Sequence, residues 1–449
     1  MSANIKLRYY TWEMILYSFC IFLFSACSHI HKADSKLLTD TDLLHRNIKQ
    51  ITEVIVHDVF SPPVASRIYA YTNLASYEAV RFARPGYASI ASQLKGFEQL
   101  PVPQKGKSYN YLLAATKAAF TVAEKITFSA DTLANYQANL YNDFKSLLDE
   151  ETYNRSIAFG EETGKIILKR TTTDNYKQTR GMDKFLGSDD PGKWRPTPPD
   201  YSDGAEPYWE MIKPMKLDSA GQFHCGPPYK YSTDTSSNFY RQVKEVYSIG
   251  RNLSDTQKTI ARYWDDNPFV TEHSGHLTYG NKKITPVGHW MGITGIACKM
   301  KNLNEVETAQ AYLITSLAIF DGFISCWKVK YQTQVVRPVT VVNELIDRTW
   351  TPFLQTPPFP EHTCAHSVIS AAAATVLSKR FGEKFSFKDT SEMEYIGMQR
   401  MFSSFMNASL EASVSRVYGG IHYTNSVNEG VVFGRKIGDY YNNSLVLKN

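Results

Sequence analysis

Thr356-Pro357-Pro358-Phe359-Pro360-Glu361-His362-Thr363-Cys364-Ala365-His366-Ser367 runs directly into the apolar stretch Val368 to Leu377. Proline stiffens the approach, because its ring fixes φ and removes an amide donor. The pattern turns helical just before His366, which places this histidine in the first turn of a helix. Unpaired amides and the positive end of the helix dipole make such a terminus a natural oxyanion site. The sequence on either side predicts an all-α protein, with helical bundles organised around that terminus.

Helical spacing of apolar residues runs from Leu38 to about Ala83, broken at Ser61-Pro62-Pro63, and recurs at about 107–126, 130–149 and 151–170. Ser129 is placed to cap the segment at 130–149, whose apolar face is Leu133, Tyr136, Leu140, Phe144 and Leu147. Residues 172–237 are crowded with Gly, Pro, Asp and Tyr. A loop this long is functional or wraps a surface. Trp194, Tyr201, Tyr208, Trp209 and Phe223 predict an ordered wrap. Helical patterns resume at 238–249, then after a capping box at Ser254 and Gln257, and at 288–303, 304–330, 339–346, 364–381, 389–417 and 425–441. No stretch alternates like a strand for long. The organisation expected is an N-terminal helical region with its wrap, 38–237, and a helical catalytic core, 238–449.

The N-terminus reads as a targeting segment, 1–26. Lys6 and Arg8 precede the apolar core Met14 to Phe24, and Ser25-Ala26 stands before Cys27. This resembles a bacterial lipoprotein signal, cut before Cys27 and lipidated there, with 27–37 as a tether. The expectation is an exported chain, lipid-anchored to a bacterial membrane and facing the periplasm or the cell surface. No later apolar run reads as the ~20 residues a membrane helix needs. Net charge is only +5, from 49 basic and 44 acidic residues without long runs of one sign. That is no nucleic-acid footprint. Cys225, Cys298, Cys326 and Cys364 are too dispersed for a disulfide framework, although Cys326 and Cys364 are candidates to pair.

Two further segments carry chemistry. Lys330 closes an apolar helix, and Arg337 precedes Pro338, which pushes it off the helical backbone onto a turn near Lys330. Two fixed cations repel unless an anion lies between them. Ser415-Arg416-Val417-Tyr418-Gly419-Gly420-Ile421-His422 ends another helix on a glycine pair that frees the backbone and aims Arg416 and His422 at one point. His366 is then positioned to exchange a proton with a bound anion.

The ordered set Lys330-x6-Arg337-Pro338, the proline-rich loop ending in His366, and Ser415-Arg416-x5-His422 resembles the three-part signature of the vanadium haloperoxidase and type 2 phosphatidic acid phosphatase superfamily. Phe359-Pro360 resembles the chloroperoxidase-type members, and Trp194-x-Pro196-Thr197-Pro198-Pro199, Tyr231-Ser232-Thr233-Asp234 and Cys326-Trp327 resemble bacterial haloperoxidase-like secreted proteins. The resemblance implies that Lys330, Arg337 and Arg416, with the amides of Cys364 and Ala365, hold the oxygens of vanadate or phosphate. It implies His422 as the vanadium ligand of a peroxidase or the nucleophile of a phosphatase, and His366 as the acid–base residue. Where the family has Pro-Ser-Gly-His, this chain has Thr363-Cys364-Ala365-His366. A thiol is a weaker donor than a hydroxyl, and Ala tolerates a positive φ less well than Gly. Three functions are open: oxidation of halide by hydrogen peroxide with vanadate, acid phosphatase action on soluble phosphomonoesters through His422, and oxyanion binding without turnover. Two competing constellations are weaker. His362 and His366 have a metal-pair spacing but no intervening Glu, and His273-Ser274-Gly275-His276 lacks both the proline loop and the following apolar helix.

Overall fold

The computed structural model describes residues 34–274, 276–280 and 282–448. The signal segment and Cys27 lie outside the described residues. Helices dominate. In chain order those of two turns or more are α1 Asp42–His57, α2 Pro62–Val80, α3 Tyr111–Ile126, α4 Ala130–Leu147 and α5 Glu150–Arg170 in the first half. The second half has α6 Asn238–Arg251, α7 Asp255–Tyr263, α8 Pro286–Met300, α9 Glu305–Thr333, α10 Pro338–Leu345, α11 Ala365–Phe381, α12 Phe405–Tyr418 and α13 Thr424–Ser444.

α9 is the axis of the molecule. It packs on α2 to one side and on α11 to the other. By length and composition it could cross a membrane, which the sequence reading did not anticipate, but its apolar window is wholly buried in the bundle. α11 lies between α9 and the pair α12 and α13. It approaches α13 closely because glycine faces it: a Cβ on Gly434 would stand 2.1 Å from the carbonyl oxygen of Val368. The N-terminus of α11, where the quoted stretch ends, is thus clamped from both sides.

The wrap 172–237 is ordered as expected. Trp194 and Trp209 are completely buried. Asp321, in the middle of α9, accepts hydrogen bonds from the amides of Met215 (2.8 Å), Lys216 (2.9 Å) and Leu217 (3.0 Å) and from the Tyr441 hydroxyl (2.7 Å). One carboxylate therefore ties the wrap, α9 and α13 together. The capping box at Ser254 and Gln257 is present.

Three expectations need correction. The helical pattern 389–417 is broken: Phe387–Asp389 (β3) pairs antiparallel with Arg400–Phe402 (β4), Gly397 turns left-handed at φ 69°, and α12 starts only at Phe405, capped by Ser404. A second short pair, Thr271–Ser274 (β1) with Leu277–Gly280 (β2), forms in the 266–287 loop and takes in His273 and Ser274, while Gly275 of that motif lies outside the described residues. Ser129 stands at the N-cap of α4 without capping it, since its hydroxyl donates to Asp58 at 2.5 Å.

Candidate active site

Lys330 sits in the last turn of α9 and is fully buried. Its ammonium donates to the carbonyls of Pro360 (2.9 Å) and Glu361 (3.1 Å), which gathers the proline-rich stretch around it. Gln334, left-handed at φ 53°, ends the helix. Arg337 follows in extended backbone as N-cap of α10, with Pro338 at the first helical position, as a pre-proline residue should. Its Nε donates to the Phe359 carbonyl (2.8 Å), and its Nη1 donates to the Ile421 carbonyl (2.8 Å) and His422 Nε2 (3.1 Å). Its Nη2 is buried with no partner.

Arg416 occupies the last turn of α12 and donates to the Trp264 carbonyl at 2.5 Å, while its Nε is buried without a partner. Gly420 then turns the chain at φ 76°, a conformation only glycine adopts without strain, and delivers His422 to Arg337. His366 lies in the first turn of α11, and its Nε2 has no hydrogen-bond partner. The nearest acidic atom to that nitrogen is an oxygen of Asp266 at 3.9 Å.

Glu361, which the sequence reading quoted without giving it a role, proves central. Its carboxyl is 1% exposed and accepts from His422 Nδ1 (2.8 Å) and the Tyr423 amide (3.1 Å). His422 thus carries its proton on Nδ1, toward Glu361, and presents the Nε2 lone pair to Arg337. Burial, reinforced by Arg337, Lys330 and Arg416, holds the imidazole far below its usual pKa. His366 is likewise held well below the usual range by burial and by Arg416. Burial lowers Lys330 to about 8 and Arg337 to about 10, and raises Glu361 to about 7 against the pull of both cations.

Three cations are 0–1% exposed, and among the described residues none of them forms an ion pair with a carboxylate. Burying a charge without a counter-charge is expensive. Two guanidinium nitrogens and one imidazole nitrogen nearby still lack partners. His366, Arg416, His422 and Ala365 line a cavity of about 430 Å³ walled by Trp327, Phe359 and several prolines. A larger void of about 680 Å³, beside Ile314, Leu377 and Tyr441, contains none of these residues.

The quoted stretch behaves differently from expectation in detail. Cys364 does not line the cavity. Its side chain is buried in an apolar cluster with Val336, Val417 and Tyr423, and its amide donates to the Ser426 carbonyl at 3.4 Å rather than to a free cradle. Ala365 is the first residue of α11 and has no positive φ, so replacing glycine introduces no strain there. The cysteines 225, 298, 326 and 364 are all free thiols, and Cys326 contacts the Thr363 carbonyl through its sulfur. His362 turns away from His366 to the Gly226 carbonyl (2.9 Å), so the two do not form the metal pair that their spacing alone would allow.

Sequence reasoning also missed a second buried cluster against the first. His289 of α8 has both ring nitrogens engaged, Nδ1 at 3.1 Å from both Asp266 oxygens and Nε2 at 2.9 Å from Asp389. Glu392 Oε1 is 3.5 Å from Nδ1, and Trp264 stacks on the ring at 4.4 Å between centroids. Burial alone would lower His289, but Asp266 and Asp389 raise it well above its ordinary pKa. Burial and repulsion from Asp266 lift Glu392 to about 9. No local motif marks this cluster, because its members come from three separate segments, 264–266, α8 and 389–392.

A helical bundle that buries three cations around two neutral histidines is an oxyanion-handling enzyme fold. The family model described as the VCPO second helical-bundle domain matches residues 310–446. The solved structure of a bacterial vanadium-dependent iodoperoxidase superposes with a TM-score of 0.86 at 43% identity, over 91% of this chain and 97% of that one. Holo and apo bacterial vanadium-dependent chloroperoxidases share the fold at TM-score 0.66, with 18% and 16% identity over 86% of this chain and 93–94% of theirs. No curated protein matches the sequence. The chain belongs to the vanadium haloperoxidase family.

Proposed function

We propose that this protein is a vanadate-dependent haloperoxidase that oxidises halide with hydrogen peroxide, iodide being the first halide to test. The carrying observation is the set of fully buried cations, Lys330, Arg337 and Arg416, that lack carboxylate partners, with Arg337 Nη1 3.1 Å from the unprotonated Nε2 of His422. Vanadate fits this donor set: the unpartnered Arg337 Nη2 and Arg416 Nε are donors without acceptors, and His422 Nε2 is a neutral nitrogen ligand. Bound vanadate would supply the Lewis-acidic centre that activates peroxide.

The chain's own residues do the rest. Glu361 fixes the His422 tautomer, as carboxylates behind metal-bound histidines do. Lys330, Arg337 and Arg416 neutralise the anion's oxygens in a water-poor cavity, where each charge counts for more. His366, held neutral with a free Nε2, accepts a proton from peroxide and can return it. The 43% identity to an iodoperoxidase supports iodide. We also infer export and lipid attachment at Cys27, to be read from incorporation of labelled palmitate and its loss in Cys27→Ala.

The test is purified protein, with and without added vanadate, assayed for triiodide formation, bromide oxidation and phosphomonoester hydrolysis. Vanadate-dependent iodide oxidation that disappears in His422→Ala supports the reading. Phosphomonoester hydrolysis without iodide oxidation would replace it with the phosphatase alternative. Tight vanadate binding with no turnover would leave a non-catalytic oxyanion binder.

A further inference from the structure

We propose that Asp266, His289 and Glu392 form a second metal site, which holds one divalent first-row cation, zinc or manganese, beside the oxyanion cavity.

Geometry is the first argument. One nitrogen and two carboxylate oxygens from these residues lie within 4.8 Å of one another, and all three residues are buried. His289 Nδ1 stands 3.1 Å from Asp266 and 3.5 Å from Glu392 Oε1. Ligands ~2.0–2.2 Å from one ion are about 3.0 Å apart at octahedral angles and about 3.4 Å apart at tetrahedral angles.

Charge is the second. Asp266, Asp389 and Glu392 are three carboxylates at 0–4% exposure around a single imidazole. The neighbouring cations are committed elsewhere. Lys283 is held by Asp265, Arg400 pairs with both oxygens of Glu411, and Arg416 donates to the Trp264 carbonyl at the cavity. The cluster is left with an uncompensated negative charge that a divalent cation offsets.

Glu392 is 97% buried, yet its Oε1 has no hydrogen-bond partner and points at the His289 ring. Asp389, meanwhile, stands 2.9 Å from His289 Nε2 on the far side of the ring. A cation entering at Nδ1 would displace the proton that this nitrogen shares with Asp266, while Asp389 would keep the proton on Nε2, as in a carboxylate–histidine–metal arrangement. One imidazole with two carboxylates and no thiolate suits zinc or manganese rather than a soft ion.

Such an ion would staple the β3–β4 region onto α8. It would also fix Asp266, a non-glycine residue at φ 43°, whose carboxylate faces His366.

The experiment is metal analysis of the full chain purified without chelator or histidine tag. The expected result is about one equivalent of zinc or manganese per chain, absent from Glu392→Gln that retains wild-type circular dichroism. Chelator-stripped wild type should gain thermal stability with ZnCl2 or MnCl2. Should Glu392→Gln not fold, zinc-edge absorption on wild type decides: a shell of nitrogen and oxygen alone at ~2.0–2.1 Å supports the site, and sulfur in the shell refutes it. Metal-free protein unmoved by either salt overturns the proposal and makes the cluster a hydrogen-bonded imidazolium network. Stoichiometry unchanged in Glu392→Gln also overturns it, as adventitious surface binding. None of these readouts requires peroxidase turnover, so the outcome is independent of the proposed function.

Discussion

Two buried polar clusters share a wall in this protein, and they are opposite in sign. Around His422, cations outnumber anions, and the unpartnered atoms of Arg337 and Arg416 are donors. Around His289, carboxylates outnumber cations, and the unpartnered atom of Glu392 is an acceptor. The two histidines differ accordingly: His422 is pushed toward its neutral form, His289 toward its charged form. Burial is similar in both cases, so the neighbours decide protonation. The comparison teaches that a buried histidine's role is read from the balance of charge around it before its sequence motif is consulted.

The comparison can be broken most sharply at His422. His422→Ala should lower vanadate-dependent iodide oxidation at least ~10³-fold, on the scale of losing a preorganised group at the reacting centre; a steady-state triiodide assay measures it. Next comes Lys330→Met. One charged hydrogen bond is worth ~1.5–3 kcal/mol, so vanadate affinity by equilibrium dialysis should fall ~10–150-fold. The thermal midpoint of the vanadate-free protein should hold or rise, because an unpaired buried cation is gone. A fall in that midpoint would mean that the two carbonyl hydrogen bonds lost with the ammonium, to Pro360 and Glu361, outweigh the cost of burying the unpaired charge.

Glu361→Gln should weaken vanadate affinity ~10–100-fold, the usual range for a residue behind a metal ligand. The pH dependence follows from Lys330, which burial lowers to about 8. The lysine is protonated below that value and loses its proton above it. Lys330 should therefore leave affinity unchanged up to about pH 8 and make it fall as pH rises further, by at most ~10-fold per unit for one proton. Dialysis from pH 7 to 9.5 checks this, and Lys330→Arg should remove the lysine's share of the fall. The smallest effect belongs to Cys364→Ser. With the thiol in an apolar cluster outside the cavity, vanadate affinity should change by less than about fivefold, within the ~1 kcal/mol of one neutral hydrogen bond.

The cationic cluster was legible in sequence because its residues sit at element ends marked by local signals. Pro338 fixes the backbone at Arg337, Gly420 fixes the turn before His422, and the proline run announces the start of α11. Helix positions were readable for the same reason, since apolar spacing and caps act within one or two turns. Glu361 was hidden because a carboxylate's partner is a matter of tertiary contact: His422 is 61 residues away. The acidic cluster was hidden more deeply. Asp266 lies in a loop, His289 on α8, and Asp389 and Glu392 in a region that read as the start of a long helix. What cut that helix was pairing between β3 and β4, with Asp389 drawn into His289. Helical propensity yields to such long-range contacts.

Asp321 bears on how the chain would meet a protease. More than sixty residues of wrap contain little regular structure, which is the usual invitation to nicking. Yet the backbone of Met215 to Leu217 is held by a carboxylate in the middle of the axial helix, and Tyr441 of the last helix grips the same group. At that point the wrap has no slack of its own. To thread it into a protease cleft, three distant parts of the chain must part together, so cleavage there would report opening of the bundle rather than fraying of a loop.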